Sequence, residues 1–234
     1  WDYVILTASN ESQAQSYRMQ IQYRLDHGML PKSIHYAVLP DPDGKRVGSG
    51  GATLNVLRYI HQDAGSFDDK RILVIHSGGD SKRVPQYSAC GKLFSPVPRL
   101  LPNGRRSTLF DEFMISMCGV AARIRAGMLV CSGDVLLLFN PLQIDFYGSG
   151  AAALSIKEPA EIGKNHGVYR VDEQGNVGGF LHKKTVDQLH ELQAADENGN
   201  VDIDTGAVIM DTDLLKALYK LVDTPEQFDA YVNE

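Results

Sequence analysis

The sequence predicts an α/β fold, a three-layer α/β/α domain built on a mainly parallel sheet. Three observations carry that expectation. Short apolar runs alternate with segments of helical periodicity along the chain, the order that builds parallel sheets from β–α–β units. The strongest runs, RILVIH at 71–76 and AGMLVCSGDVLLLF at 126–139, are near-continuous rather than alternating, as in strands buried on both faces. Glycine-rich or carboxylate-bearing segments follow these runs, at the strand ends where open α/β sheets bind ligands.

The elements follow in order. WDYVILTA at 1–8 is an apolar strand bounded by Ser9, Asn10 and Glu11. Residues 12–30 read as a helix that places Tyr17, Ile21 and Leu25 on one face and stops before Pro31. HYAVLP is a strand, PDPDG a turn and KRV a short return. GSGGAT then opens the helix ATLNVLRYIHQ, with Ser49 or Thr53 as a candidate cap. After RILVIH comes an irregular segment, then the helix TLFDEFMISMCGVAARI, whose Phe113, Met114 and Met117 read as core. AGMLVCSGDVLLLF and AAALSIKE are strands, and GVYRVDEQGNVGGFLHK is a hairpin turning at Glu173–Asn176. TVDQLHELQA is a helix, DIDTGAVIM a strand and TDLLKALYKLV a helix. No internal repeat, low-complexity tract or linker interrupts this order.

Composition narrows the class. With 43% hydrophobic residues in 234, residues 1–234 can bury the core of one α/β domain. The absence of an initiator Met before Trp1, and an end within the helical run EQFDAYVNE, predict a piece of a longer protein. No apolar run approaches the ~18 residues of a membrane span, and no secretory leader is present. Three cysteines (Cys90, Cys118, Cys131) show no metal spacing, and an odd count argues against a disulfide framework, which favours a reducing cytoplasm. A net charge of −6 argues against a nucleic-acid partner and leaves phosphate binding to local cations. The seven histidines have no ligand spacing, and no G-x-S-x-G elbow occurs.

The chemistry concentrates in IHSGGDSKRVPQYSACGKLF, residues 75–94: strand, glycine turn, cation, loop, cation. Ser77, Gly78, Gly79 and Ser81 form a turn whose backbone can approach phosphates closely, and Arg83 and Lys92 supply positive charge. Neither a Walker A loop nor a dinucleotide fingerprint fits, because Leu93 follows Gly91-Lys92 and Asp80-Ser81 break the G-x-G spacing. Gly50 and Gly51, in GSGGATL, could lie against a base or phosphates at a helix N-terminus, or serve packing alone. Asp134 interrupts apolar sequence at a strand end, a place for one Mg²⁺ ligand or for a turn residue.

The order Gly78, Gly79, Ser81, Arg83, Pro85 and Lys92 resembles the G-G-x-G-[ST]-R-x-x-P loop, with a later Lys, of nucleotidyltransferases that make nucleotide-sugars. Asp80 and Ser81 stand where a further glycine is usual. Together with GSGGATLNVL, the wording SGGDSKRVP…S-x-x-GK-x-F is similar to fucose-1-phosphate guanylyltransferases, which occur alone or as the front half of bifunctional fucokinase/guanylyltransferases. The resemblance implies a nucleotidyltransferase domain that moves GMP from GTP to β-L-fucose 1-phosphate with Mg²⁺. It implies Arg83 at the departing pyrophosphate, Lys92 at the α-phosphate and Asp134 on the metal. On the sugar side it implies Asn165 and His166 in NHGVYRVD, Lys183 in FLHKKT and Asp204 in DIDTGAV. His182 and Lys184 replace the family's usual Glu and Pro, and Asp204 its usual Asn.

Overall fold

The computed structural model describes residues 1–77, 85–87, 91–143, 146 and 148–233. It is a mixed α/β protein with a mostly parallel central sheet, and its chain separates into two compact units. The first comprises Trp1–Ala152 and Ile209–Glu234, the second Ala153–Val208.

In the first unit, β1 (Tyr3–Ala8) leads through α1 (Glu11–Asp26) to β2 (His35–Pro40), and α2 (Gly48–Ala64) leads on to β3 (Arg71–His76). A short hairpin, β4 (Pro96–Leu100) with β5 (Arg106–Thr108), precedes α3 (Leu109–Met117) and β6 (Gly127–Ser132). The strands lie in the order β2-β1-β3-β6, every pairing parallel. β1 is buried along its whole length, and β3 over Ile72–Ile75. Alternate side chains therefore serve both faces, as the unbroken apolar runs imply. Tyr3, Ile5, Ile72, Val74 and Met128 meet Leu54, Val56, Leu57 and Ile60 of α2, with Leu215, Val222 and Phe228 from the chain's last helical region. α1 packs against β1 and β2 and is tied to α3 by a buried ion pair between Arg24 and Asp111.

In the second unit, β7 (Ala151–Pro159) is followed by a single helical turn, α4 (Ala160–Gly163), and by the antiparallel hairpin of β8 (Gly167–Val171) and β9 (Val177–His182). Next come α5 (Val186–Glu191) and β10 (Asn200–Met210), which pairs antiparallel with β8. Val168, Leu189, Val201 and Ile203 form this unit's own small core. The last two residues of β10 return to the first unit, where α6 (Thr212–Tyr219) and α7 (Pro225–Asn233) follow.

The differences from expectation have local causes. α1 ends at Asp26, because Gly28 and Met29 return their N–H groups to Leu25 and Arg24 and close the helix before Pro31. α2 begins at Gly48, so the paired glycines lie inside its first turn rather than ahead of it. The strand expected over 126–139 stops at Ser132, and Leu136 and Leu138 beyond it are exposed. The β4–β5 hairpin, with Pro96 and Pro98 in one strand, had no alternating pattern to reveal it.

Candidate active site

The strand order places β1 between β2 and β3, so the chain's path reverses across the sheet there. A reversal of this kind leaves a crevice at the carboxyl ends of the strands. A cavity of about 400 Å³ occupies it, and every strand of the parallel set contributes. β1 brings Thr7 and Ser9, β2 is followed by Asp41 and Arg46, β3 ends in His76 and Ser77, and β6 delivers Ser132, Gly133 and Asp134. The start of α2 adds Gly48 and Ser49, and Lys92 closes the wall from the turn after the long loop.

Lys92 and Asp134 meet directly, with Nζ 3.4 Å from Oδ2. Ser132 Oγ donates to the other carboxylate oxygen at 2.8 Å. Burial works to raise the Asp134 carboxyl, but hydrogen bonds from Ser132 and Lys92, with the lysine's charge, hold it below the ordinary carboxylate range. Both side chains stay partly exposed, at 34% and 53%, so the pair adds at most about 1 kcal/mol to stability. Its significance is chemical. A cation and a carboxylate face one concavity, where a ligand bearing phosphate can meet both.

His76 lies deeper. Thr53 Oγ1 donates to the Ser49 carbonyl at 2.9 Å, so it accepts from His76 Nε2–H at 2.9 Å. The free Nδ1 then accepts from Thr7 Oγ1 at 3.1 Å. Burial lowers the imidazole to about 4, keeping it neutral at physiological pH. This relay fastens the first turn of α2 to the ends of β1 and β3.

Tyr17 of α1 bonds to the chain just after β3 and lies close against it again at Gly91. Its hydroxyl donates to the Ser77 carbonyl at 2.9 Å, while Ser77 Oγ donates to the Thr7 carbonyl at 2.8 Å. Gly91, just before Lys92, has φ +67° and lies so close that a Cβ there would run into the Tyr17 hydroxyl. The Tyr17 ring packs on Phe94, and Phe94 on Phe110, with the Arg24 guanidinium 5.0 Å from the Phe94 centroid. The backbone on either side of Lys92 is thereby anchored to buried aromatic rings.

Of the residues singled out from sequence, Ser77, Lys92 and Asp134 come together in this cavity. Gly78, Gly79, Ser81 and Arg83 lie outside the described residues. Gly50 and Gly51 do not line the cavity; Gly48 and Ser49 do. A Cβ on Gly51 would sit 2.7 Å from Val47 Cβ and 3.5 Å from Val232, so this glycine serves helix packing. In the second unit, Asp204 Oδ1 accepts from Tyr169 Oη at 2.7 Å and from the Gly206 N–H at 2.8 Å. Asn165 and His166 directly precede β8, and Lys183 N–H donates to the His166 carbonyl at 3.0 Å across the open end of the β8–β9 hairpin. His166 and Lys183 thus share one edge. Asp41, Thr7, His76 and Tyr17 were missed by sequence reasoning, although polar residues directly after apolar runs were the available signal for the first three.

Among the described residues, no three His, Cys, Asp or Glu side chains gather into a metal cage. Mg²⁺ does not require one, since it binds through one or two carboxylates with phosphate oxygens and water. Asp134 fits that donor set. No helix among the described residues is long and apolar enough to cross a membrane.

Comparison with known proteins shows the family. The chain is 31% identical over 243 aligned residues to a bifunctional fucokinase/GDP-fucose pyrophosphorylase of Arabidopsis thaliana, covering 89% of this chain and 23% of that protein. It is 32% identical to the fucose-1-phosphate guanylyltransferase of Mus musculus and 30% to that of Homo sapiens, over 83% and 86% of this chain and 35% of each relative. The chain thus spans between about a quarter and just over a third of the length of these relatives, and its match to a domain model runs through residues 64–233. By that match, which takes in β3, Lys92, Asp134 and the whole second unit, the chain belongs to the fucose pyrophosphorylase domain family.

Proposed function

We propose that this chain carries out Mg²⁺-dependent transfer of GMP from GTP to β-L-fucose 1-phosphate, releasing pyrophosphate and forming GDP-L-fucose. The observation that carries the reading is the Lys92–Asp134 pair inside a switch-point cavity of a chain from this family. A phosphate oxygen of the sugar phosphate attacks the α-phosphorus, and the bond from that phosphorus to the bridging oxygen breaks. Pyrophosphate leaves with the electron pair. The nucleophile is already ionised, so no general base is needed, and catalysis reduces to positioning and charge neutralisation.

Lys92 supplies a compact charge to the α-phosphate oxygens as negative charge builds there. Arg83 takes the departing pyrophosphate by family resemblance, its planar fork suited to two phosphate oxygens. Asp134 would hold Mg²⁺, which when bound offsets charge on the triphosphate. Ser132 fixes the Asp134 carboxylate, and burial keeps His76 neutral, so it adds no competing charge. Asn165, His166, Lys183 and Asp204 are assigned to the sugar phosphate, with Tyr169 orienting Asp204. A kinase portion outside this chain, as the Arabidopsis relative's name describes, would supply the fucose 1-phosphate. We place the reaction in the cytoplasm, with which the free thiols of Cys118 and Cys131 agree.

The test is pyrophosphate release with Mg²⁺ across four NTPs crossed with several sugar 1-phosphates. Release confined to GTP with fucose 1-phosphate, and lost in Lys92→Ala, is the expected result. Release with another pair would keep the mechanism and discard the substrate. No release with any pair, from the full-length protein as well, would leave only a binding module.

A further inference from the structure

We propose that Asp41 selects the base, its carboxylate accepting the N1–H and the 2-amino group of guanine. This rests on the reading above that the domain transfers a nucleotide from an NTP, and it adds which residue makes that nucleotide GMP.

Asp41 sits at the carboxyl end of β2 and lines the cavity. Its backbone is fixed: β1–β2 pairing runs to Ala8 opposite Pro40, and the Asp41 N–H then donates to the Ala8 carbonyl at 2.8 Å. Pro42 follows directly and restricts the chain beyond. The side chain therefore projects from a rigid strand end, which suits a group that must read shape. Burial raises its carboxyl above the ordinary value, with the Arg46 charge and the Val47 N–H acting in the opposite direction. A half-buried carboxylate of this kind is improved by a ligand that brings hydrogen-bond donors.

The charge layout decides which part of the nucleotide meets it. Lys92 and Asp134 stand at the β3–β6 side, and the glycine-and-cation segment follows β3, so the phosphates belong there. Asp41 stands at the β2 side, three strand spacings from β6, or about 14 Å. Arg46 offsets the Asp41 charge at that end, and a nucleoside with its phosphates toward Lys92 can bring its base there. Gly48 and Ser49, at the start of α2, border the same end.

Base chemistry then favours one candidate. At the edge facing a carboxylate, guanine offers two adjacent donors, N1–H and the 2-amino group. Adenine presents N1, and cytosine N3, as lone pairs that a carboxylate opposes. Uracil offers one N–H between two carbonyls. A carboxylate has acceptors only, so it rewards guanine and penalises the others. Sites built on such pairings discriminate strongly, because the wrong partner leaves buried polar groups unmatched.

The test is Asp41→Asn in the full chain, assayed by pyrophosphate release with fucose 1-phosphate and either GTP or xanthosine 5′-triphosphate. Xanthine keeps N1–H but replaces the 2-amino group with a carbonyl. Asn offers the matching acceptor and donor. The expected result is a fall in kcat/KM for GTP of about 100-fold and a gain for the xanthine nucleotide, moving the GTP:XTP ratio by about three orders of magnitude. A merely structural role would lower both substrates together and leave the ratio unchanged, which would overturn the proposal. Should the variant turn over neither nucleotide, the ratio is read from the melting shifts produced by GDP and XDP; an unaltered preference for GDP there would overturn it too. A wild-type protein that uses another NTP in place of GTP would instead sink the underlying GMP-transfer reading, a result visible before any variant is made.

Discussion

At the level of single residues, two side chains of the cavity make opposite predictions. Lys92 is partly exposed in an ion pair that contributes little to folding, yet it lines the cavity where the proposed transfer would place its phosphates. Lys92→Ala should lower kcat by at least about 100-fold while leaving the melting temperature within a degree or two, measured by steady-state turnover and thermal denaturation on the same preparation. His76 is the reverse case, a largely buried neutral group held by Thr7 and Thr53 at the cavity's edge. Its folded pKa, about 4, lies below the unfolded value of about 6.5. The unfolded chain therefore takes up the proton first, and stability is lost as pH falls from about 6.5 towards 4. The full effect is roughly 3 kcal/mol, and urea denaturation between pH 7 and 4 should show it in the wild type and not in His76→Gln. Lys92 and Asp134 were legible in the sequence because one closes a recognisable loop and the other breaks an apolar strand. Asp41 and His76 were not singled out, since a polar residue after an apolar run gains its place in the cavity only from β1, β2 and β3 ending side by side.

At the level of elements, the join between α1 and α3 matters most. Arg24 Nε lies 2.7 Å from Asp111 Oδ1, both side chains are more than nine-tenths buried, and Thr108 closes a capping box on the same carboxylate. Burial works to raise the Asp111 carboxyl, but hydrogen bonds from Arg24 and Thr108 and the guanidinium charge hold it below its usual range. The stability this gives is present above the ordinary carboxylate pKa and is lost as pH falls through the depressed one. Asp111→Ala should destabilise the fold by about 3–5 kcal/mol in urea titration, because Arg24 would remain buried without its partner. Tyr17→Phe, by contrast, keeps the ring on Phe94 and removes the bond to the Ser77 carbonyl. It should cost about 1 kcal/mol in the same titration. Apolar periodicity revealed β1, β3, β6 and most helices, because their buried faces must be written in apolar residues. It misplaced the start of α2, where Gly51, which looks like part of a loop, is instead required by the closeness of Val47.

At the level of the whole molecule, the two units differ in how deeply they bury their strands. β1 and most of β3 are inaccessible to solvent, whereas much of β9 is exposed. Amide hydrogen exchange should therefore be slowest at Ile5 and Val74 and faster by orders of magnitude at Gly178 and Gly179. The sequence conveyed the α/β class and the parallel sheet, since both follow from the order and burial of the strands. The division into units was not legible, because no linker or change of composition marks residues 152–153 or 208–209. The closeness of Gly91 to Tyr17 has a consequence for how such a domain can evolve. Gly91 has φ +67°, and a Cβ there would run into the Tyr17 hydroxyl. Any side chain at position 91 therefore demands a smaller partner at position 17, so two residues far apart in sequence are bound into one inheritance, and the lysine beside the glycine keeps its address.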